Sequence, residues 1–182
     1  ERTTWNTPLV TEYGGKTQVI VNGTNRVRSY DLADGKELWN APGTTVNPIP
    51  SPLRFGDTAV VMGGYQKYAA AAIPLGSSGT LSETARVWSY AKGTPYVPSP
   101  VAVDGRLYFT DQNTTLLTVY DVAARKAVVD KERLPGVAAF YASPLSAAGR
   151  LYFVDRTGVI RSIQIGELTD ADFERQYARI AR

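Results

Sequence analysis

The sequence predicts an all-β fold made of consecutive four-stranded antiparallel meanders, and three features of the chain predict it. Ser/Thr-Pro pairs recur in phase at Thr7-Pro8, Ser51-Pro52, Ser99-Pro100 and Ser143-Pro144, spaced by 44, 48 and 44 residues. Each pair is followed by a short apolar stretch, a Gly-containing turn and a segment dense in β-formers: TQVIVNG, TAVVMGG, RLYFTDQ and RLYFVDR. A third segment follows in every period, and a fourth in the first three. A fixed period in the mid-forties marks repeat architecture, in which no unit shelters its own apolar faces and stacking does so instead.

The elements of each period follow from local chemistry. Proline can begin a strand because no ladder bond from its nitrogen is needed there, and its fixed φ stiffens the entry of the chain. The turns at Gly14-Gly15, Gly56-Asp57, Asp104-Gly105 and Ala148-Gly149 join the first strand to the second. The third strands are NRVRSYDL, YAAAAIPL, TLLTVYDV and GVIRSIQI, and the fourth are KELWNA, ARVWSYA and KAVVDKE. Four short strands joined by tight turns are the unit of a β-propeller blade. The prolines are expected to mark the innermost strand of each blade.

Bulk properties exclude several classes. The 182 residues are 43% hydrophobic and 20% charged, ordinary globular material long enough to bury a core. Twenty Lys plus Arg against seventeen Asp plus Glu give a net charge of +3, with the basic residues scattered, so neither nucleic acid nor an anionic membrane is an expected partner. No apolar run reaches the roughly 18 residues of a membrane span. The first residues, ERTTWNTP, do not read as a signal peptide. Cys and His are both absent, which removes disulfides, thiolate and imidazole metal sites, a cysteine nucleophile and Ser-His-Asp chemistry.

Residues 29–39, SYDLADGKELW, carry a resemblance. A small residue, Asp two on, Gly six on and Trp ten on resemble the tryptophan-docking motif of the pyrroloquinoline quinone (PQQ) repeat propellers, here Ser29, Asp31, Gly35 and Trp39. The residue chemistry is legible beside it. Asp31 and Gly35 suit the turn between third and fourth strands, and Trp39 offers a large ring to the next blade. The motif decays along the chain: Trp88 survives in the second period, where GSSGTLSE lengthens the turn. The third period keeps Asp121 but has Arg125 and Val129, and the fourth loses both Asp and Trp. TPYVPSP and YASPLSAAGRLYFVDR further resemble PQQ-like, BamB-like bacterial repeat proteins.

The domain reading is β-propeller blades over 1–166, with repeats starting near 7, 51, 99 and 143, and an amphipathic helix over 167–182. In the last segment, Thr169 or Asp170 can cap the helix, and Phe173, Tyr177 and Ile180 form one apolar stripe. The resemblance implies rings of about seven or eight blades, so four repeats are part of such a ring. Alternatively, residues 1–5 supply the missing outer strand of the fourth blade, or two four-blade halves self-associate.

Residues just before the first strands converge at one rim of a propeller. There the candidate ligand-binding residues are Trp5, Asn6, Asn47, Tyr96, Phe140 and Tyr141, whose rings and amides suit a planar, sugar-like or peptide ligand. Arg26, Arg28 and Arg54 could meet an anion, but read more simply as strand-face charges. Asp104, Asp111, Asp121 and Asp155 belong to separate turns, and read as turn residues rather than metal ligands. Asn22-Gly23-Thr24 and Asn113-Thr114-Thr115 match the glycosylation pattern and equally fit turns.

No catalytic residue and no metal site is assigned. PQQ and calcium, which the resemblance implies for authentic quinoprotein dehydrogenases, are not supported by the residues present. The expected function is a non-catalytic scaffold or binding module in a bacterial cell envelope, periplasmic or secreted by resemblance, holding a protein partner or small ligand at a propeller face. The alternatives are a fragment of a PQQ- and calcium-dependent dehydrogenase and a polysaccharide- or sugar-associated extracytoplasmic module.

Overall fold

The structure, a computed structural model, describes residues 3–134 and 137–164. Among these residues are sixteen β-strands, one short 3-10 turn at Glu83–Ala85 and no α-helix. The helix expected over 167–182 lies outside the described residues. The chain divides into two compact units, Glu1–Tyr96 and Val97–Arg182.

The first unit holds two sheets. The first sheet contains β1 (Leu9–Tyr13), β2 (Lys16–Asn22), β3 (Arg26–Asp31) and β4 (Glu37–Pro42), paired antiparallel in chain order. The second contains β5 (Leu53–Phe55), β6 (Thr58–Gly63), β7 (Ala69–Pro74) and β9 (Trp88–Tyr90). Between β7 and β9 the chain leaves its own sheet. Gly79–Thr80 forms β8, which pairs parallel with β4 and gives the first sheet a fifth strand. The lengthened turn of the second repeat thus covers the outer edge of the first. The Leu81 N–H donates to the Asn40 carbonyl at 2.8 Å, and Arg86 Nη2 donates to the Pro42 carbonyl at 3.3 Å. An open edge strand is a template for unwanted pairing, and this segment occupies it.

In the second unit, β10 (Val101–Val103), β11 (Arg106–Thr110), β12 (Leu116–Asp121) and β13 (Lys126–Arg133) form a four-stranded antiparallel sheet. The fourth sheet has β14 (Leu145–Ala147), β15 (Arg150–Val154) and β16 (Ile160–Gln164) among the described residues. Every strand expected from the sequence is present within a few residues of its expected bounds. The prolines at 8, 52, 100 and 144 each stand directly before the first strand, at one edge of its sheet, where a missing N–H breaks no ladder.

The residue before each proline does something the sequence reading did not anticipate. The Thr7 N–H donates to Ser51 Oγ at 3.1 Å, and the Ser99 N–H donates to Ser143 Oγ at 2.9 Å. Proline has no N–H to offer, so its predecessor's amide reaches the hydroxyl one repeat on, and adjacent first strands are tied at their starts.

Two-residue loops close the first hairpins. Gly14-Gly15, Asp104-Gly105 and Ala148-Gly149 all have positive φ at both positions, the type I′ requirement that matches strand twist. The Asp31 turn recurs in the third repeat. The Ala33 N–H donates to Asp31 Oδ1 at 3.0 Å and the Ala124 N–H to Asp121 Oδ1 at 2.8 Å. Gly35 has φ 71° there, and Arg125 holds the same left-handed place at φ 52°.

The core of the first unit lies between its sheets. Trp39, fully buried, packs with Ile20, Val27 and Ala41 of its own sheet and with Ala59, Val61, Ala71 and Ile73 of the next. Small residues at 59 and 71 on the facing sheet share this cluster with the indole, which fits the choice of alanine at 71 within the run of alanines in β7. Gln18 is the polar centre of this packing. Its Oε1 accepts from Ser29 Oγ at 2.8 Å and from Trp39 Nε1 at 3.2 Å, while its Nε2 donates to the Leu75 carbonyl at 3.0 Å. Ser29, Asp31, Gly35 and Trp39 therefore hold a turn and an inter-sheet contact. Trp88, also buried, sits opposite Ala72. In the second unit, Tyr108, Val119 and Val129 of the third sheet pack with Leu151 and Phe153 of the fourth.

Asp155 organises the last turn. Its Oδ1 accepts from the Thr157 N–H at 2.8 Å, from Thr157 Oγ1 at 2.6 Å and from the Val159 N–H at 3.1 Å. These donors, the Thr157 hydroxyl foremost, lower its pKa from 3.8 to about 2.

Three outcomes follow from these contacts. Trp39→Ala empties a buried indole site and is expected to cost about 3–5 kcal/mol in denaturant unfolding. Arg125→Gly relieves a left-handed side chain at an exposed turn and should raise stability by about 0.5–1 kcal/mol, read from the same titration. Asp155 has a lower pKa folded than unfolded. Its contribution is complete above the unfolded value of 3.8 and is lost as pH falls toward the folded value of about 2. Thermal melts between pH 5 and pH 2 should fall less steeply for Asp155→Asn than for the parent, and equal slopes would contradict this assignment.

Candidate functional site

Four of the six proposed rim residues belong to the first unit, and the structure gathers them at the end of the sheets where the chain enters β1 and leaves β2. The Trp5 N–H donates to the Pro48 carbonyl at 3.3 Å. Asn6 Nδ2 donates to the Asn22 carbonyl at 2.6 Å, and Thr4 Oγ1 to the same oxygen at 2.8 Å. Residues 4–6 are thus held against the β2–β3 turn and the segment leading to β5, and are not in a strand. Trp5 remains 68% exposed although its backbone N–H is engaged.

Asn47, one residue from that Pro48 anchor, has φ 59°, a left-handed backbone that asparagine tolerates better than most side chains. Its Nδ2 donates to the Tyr96 hydroxyl at 3.3 Å. The Tyr96 ring stacks on Tyr65, centroids 5.0 Å apart and planes 27° from parallel, in the offset arrangement that aromatic quadrupoles favour. Tyr65 was not among the expected residues. The signal for it was available, since GGYQKY follows the second strand just as Asn22-Gly23-Thr24 does in the first repeat, and these turns share one end of their sheets.

The support beneath the tyrosines is rigid. Thr94, fully buried, donates through Oγ1 to the Gly63 carbonyl at 2.6 Å and accepts from the Ala69 N–H at 3.1 Å. A Cβ on Gly64 would stand 2.3 Å from the Thr94 carbonyl oxygen, so only glycine lets the two segments approach. The residues after each, Tyr65 and the Pro95-Tyr96 pair, are thereby brought side by side. The stacked Tyr65 and Tyr96 rings with the Asn47 amide bring together groups able to stack on a planar or ring-shaped group and hydrogen-bond its edge, and Trp5 is exposed at the same end of the unit.

Phe140 and Tyr141 belong to the second unit. Phe140 is 1% exposed and packs on Phe153 at 5.4 Å between centroids, with its backbone bridged to Asp155. Its ring is part of the hydrophobic core, which takes it out of the candidate binding set. Tyr141 is 57% exposed.

The arginines are engaged in the scaffold. Arg54 donates from Nη1 to Thr11 Oγ1 at 3.2 Å and to the Glu12 carbonyl at 2.9 Å, linking β5 to β1. Arg28 pairs with Glu37 at 3.2 Å, and Arg26 bonds Asn40 and the Leu81 carbonyl. Asn22 is fully buried and donates to the Met62 carbonyl at 3.0 Å, so its amide is not exposed to modification in the folded chain. Two shallow cavities of about 330 and 360 Å³ lie at the opposite end of the first sheet, both bordered by Lys16 and by its hairpin glycines. Among the described residues no group of three His, Cys, Asp or Glu side chains is placed to hold a metal ion, and no helix is long and apolar enough to cross a membrane.

No protein-family model matches the chain, and no curated protein does. Solved structures do. BamB from Moraxella catarrhalis superposes with a TM-score of 0.58 at 17% identity, over 85% of this chain and 44% of the BamB chain. The computationally designed Ika4 protein gives 0.59 at 7% identity, covering 86% of this chain and 89% of its own. The designed Ika8 protein gives 0.60 at 8% identity, over 87% and 45%. The chain thus spans less than half the length of the BamB structure it matches. At such identities the likeness is one of fold, and the fold is that of four-stranded antiparallel β-propeller blades similar to those of BamB.

Proposed function

We propose that this chain is a non-catalytic, PQQ-like propeller module that holds a protein partner or small ligand in the bacterial cell envelope. The observation that carries the reading is the first unit's rim: the stacked Tyr65–Tyr96 pair, the Asn47 amide and the exposed Trp5, all on a backbone fixed by hydrogen bonds. Exposed aromatic groups held rigidly lose little entropy on binding, which is the property of an interaction anchor. The fold likeness to BamB supports an envelope setting and a protein partner.

The described residues do not fit a calcium-held quinone. Calcium takes about 6 to 8 oxygen ligands, and among the described residues no three carboxylates come together, with Asp121 and Asp155 already accepting backbone N–H groups.

The test is retention of partners from an envelope extract by the parent chain and by a Trp5→Ala, Tyr65→Ala, Tyr96→Ala variant. A specific partner held by the parent should be retained at least tenfold less by the variant. Equal retention, or no specific partner, counts against the rim. Titration with PQQ and calcium should give no saturable thermal stabilisation, and a saturable rise would replace this reading with the dehydrogenase one.

A further inference from the structure

Three dipeptides in the chain put Asn or Asp directly before glycine: Asn22-Gly23, Asp34-Gly35 and Asp104-Gly105. Glycine has no side chain to shield its backbone nitrogen, so in such a pair that nitrogen can attack the side-chain carbonyl carbon of the residue before it. By sequence alone the three are alike, and the fold separates them.

At Asn22-Gly23 both reacting groups are withdrawn. Asn22 is fully buried at the end of β2, and its Nδ2 donates to the Met62 carbonyl at 3.0 Å. The Gly23 N–H donates to the Arg26 carbonyl at 3.1 Å. Asp34-Gly35 is exposed but engaged. Asp34 Oδ1 accepts from the Lys36 N–H at 3.0 Å, and Oδ2 pairs with Lys36 Nζ at 2.7 Å. These bonds, that of the Lys36 side chain foremost, lower the Asp34 pKa and hold the group in its ionised form, from which oxygen leaves poorly. The Gly35 N–H donates to the Asp31 carbonyl at 2.8 Å.

Asp104-Gly105 has neither restraint. Both residues are exposed, and together they make up the whole loop between β10 and β11. Val103 opposite Arg106 closes the ladder, so the N–H of the second loop residue takes no part in it. Asp104 has φ 47°, a left-handed backbone unfavourable to any residue with a Cβ. The other repeats have Gly14, Gly56 and Ala148 at this place, so of these loops only the third puts a carboxyl before a glycine.

We propose that Asp104 is a site of spontaneous isomerisation to isoaspartate, and that the folded chain reacts there in preference to Asp34 and Asn22. The Gly105 nitrogen bonds to Asp104 Cγ, the carboxyl hydroxyl leaves with the nitrogen's proton as water, and a cyclic succinimide forms. Water then adds to the carbon that was the Asp104 main-chain carbonyl, and the bond from that carbon to the Gly105 nitrogen breaks. The chain now runs through Cγ, the former main-chain carbonyl is a free carboxyl group, and the composition is unchanged. No oxidant, cofactor or second protein enters the step.

The consequence follows from loop length. An isoaspartyl residue adds one atom to the main chain between Val103 and Arg106, and a two-residue type I′ loop has no room for it. The Val103–Arg106 pair is lost first. The Gly105 carbonyl, which accepts from the Val122 N–H at 3.3 Å, shifts with it and loosens the tie between this loop and the residue after β12.

The test ages the full 182-residue chain at neutral pH. Isoaspartate is followed by peptide mapping, by resistance to a protease that cleaves before aspartate, and by methyl labelling with a protein isoaspartyl methyltransferase. In the native chain, isoaspartate at Asp104 should accumulate several-fold faster than at Asp34, with Asn22 unchanged. In a urea-unfolded sample all three pairs should react, which assigns the selection to the fold. Asp104→Gly, which copies the Gly14-Gly15 loop, should match the parent by circular dichroism and lose the native-state label. The proposal is overturned if native Asp34 or Asn22 reacts as fast as Asp104, if Asp104 stays unchanged while the unfolded sample converts, or if Asp104→Gly keeps the label.

Discussion

The seating of Trp39 on the alanines of the neighbouring sheet is the contact on which the first unit depends. A four-stranded sheet of this size has apolar residues on both faces and no layer of its own to cover them, so each is stable only against another. The indole supplies the area, Ala59 and Ala71 supply the space, and Gln18 satisfies the polar atoms that the packing would otherwise strand. Where the third repeat has Val129 in place of the tryptophan, the neighbouring sheet compensates in size, presenting Leu151 and Phe153 where the second sheet presents Ala59 and Val61. The bulk that Trp39 brings from the first sheet comes here from the facing sheet instead.

Much of this was legible in the sequence. Strands announced themselves because their residues are β-branched or aromatic and their ends carry glycine, and the phased prolines set the repeat. What escaped was carried by the backbone or by residues of neutral propensity. Nothing in GSSGTLSE reads as strand, and β8 exists because Asn40 and the backbone of β4 accept it. The hydroxyls of Ser51 and Ser143 bond a full repeat away, a role that no local pattern around them carries. Gln18 carries no local signal of its role, and only the tertiary packing gives it three partners.

The candidate site was legible in part for the same reason. Position before a first strand located Trp5, Asn6, Asn47 and Tyr96 at one end of the first unit, but it could not distinguish a ring at the surface from one in the core. Phe140 and Tyr141 are adjacent in the chain, and the bridge between Phe140 and Asp155 decides which of them turns inward. Tyr65 was missed because its loop lies between second and third strands. Its role depends on Thr94 drawing two loops together across a glycine that permits contact at backbone distance.

The parallel strand that the second repeat lends to the first changes what counts as a module. In a simple tandem array one unit can be excised, duplicated or exchanged with little effect beyond its junctions. Here removal of residues 76–86 together with their own repeat would strip the outermost strand from the preceding one, taking with it the bonds from Leu81 and Arg86 to β4 and the residue after it. The first two repeats therefore form one structural piece, and any boundary drawn between them by sequence period alone separates a sheet from its fifth strand.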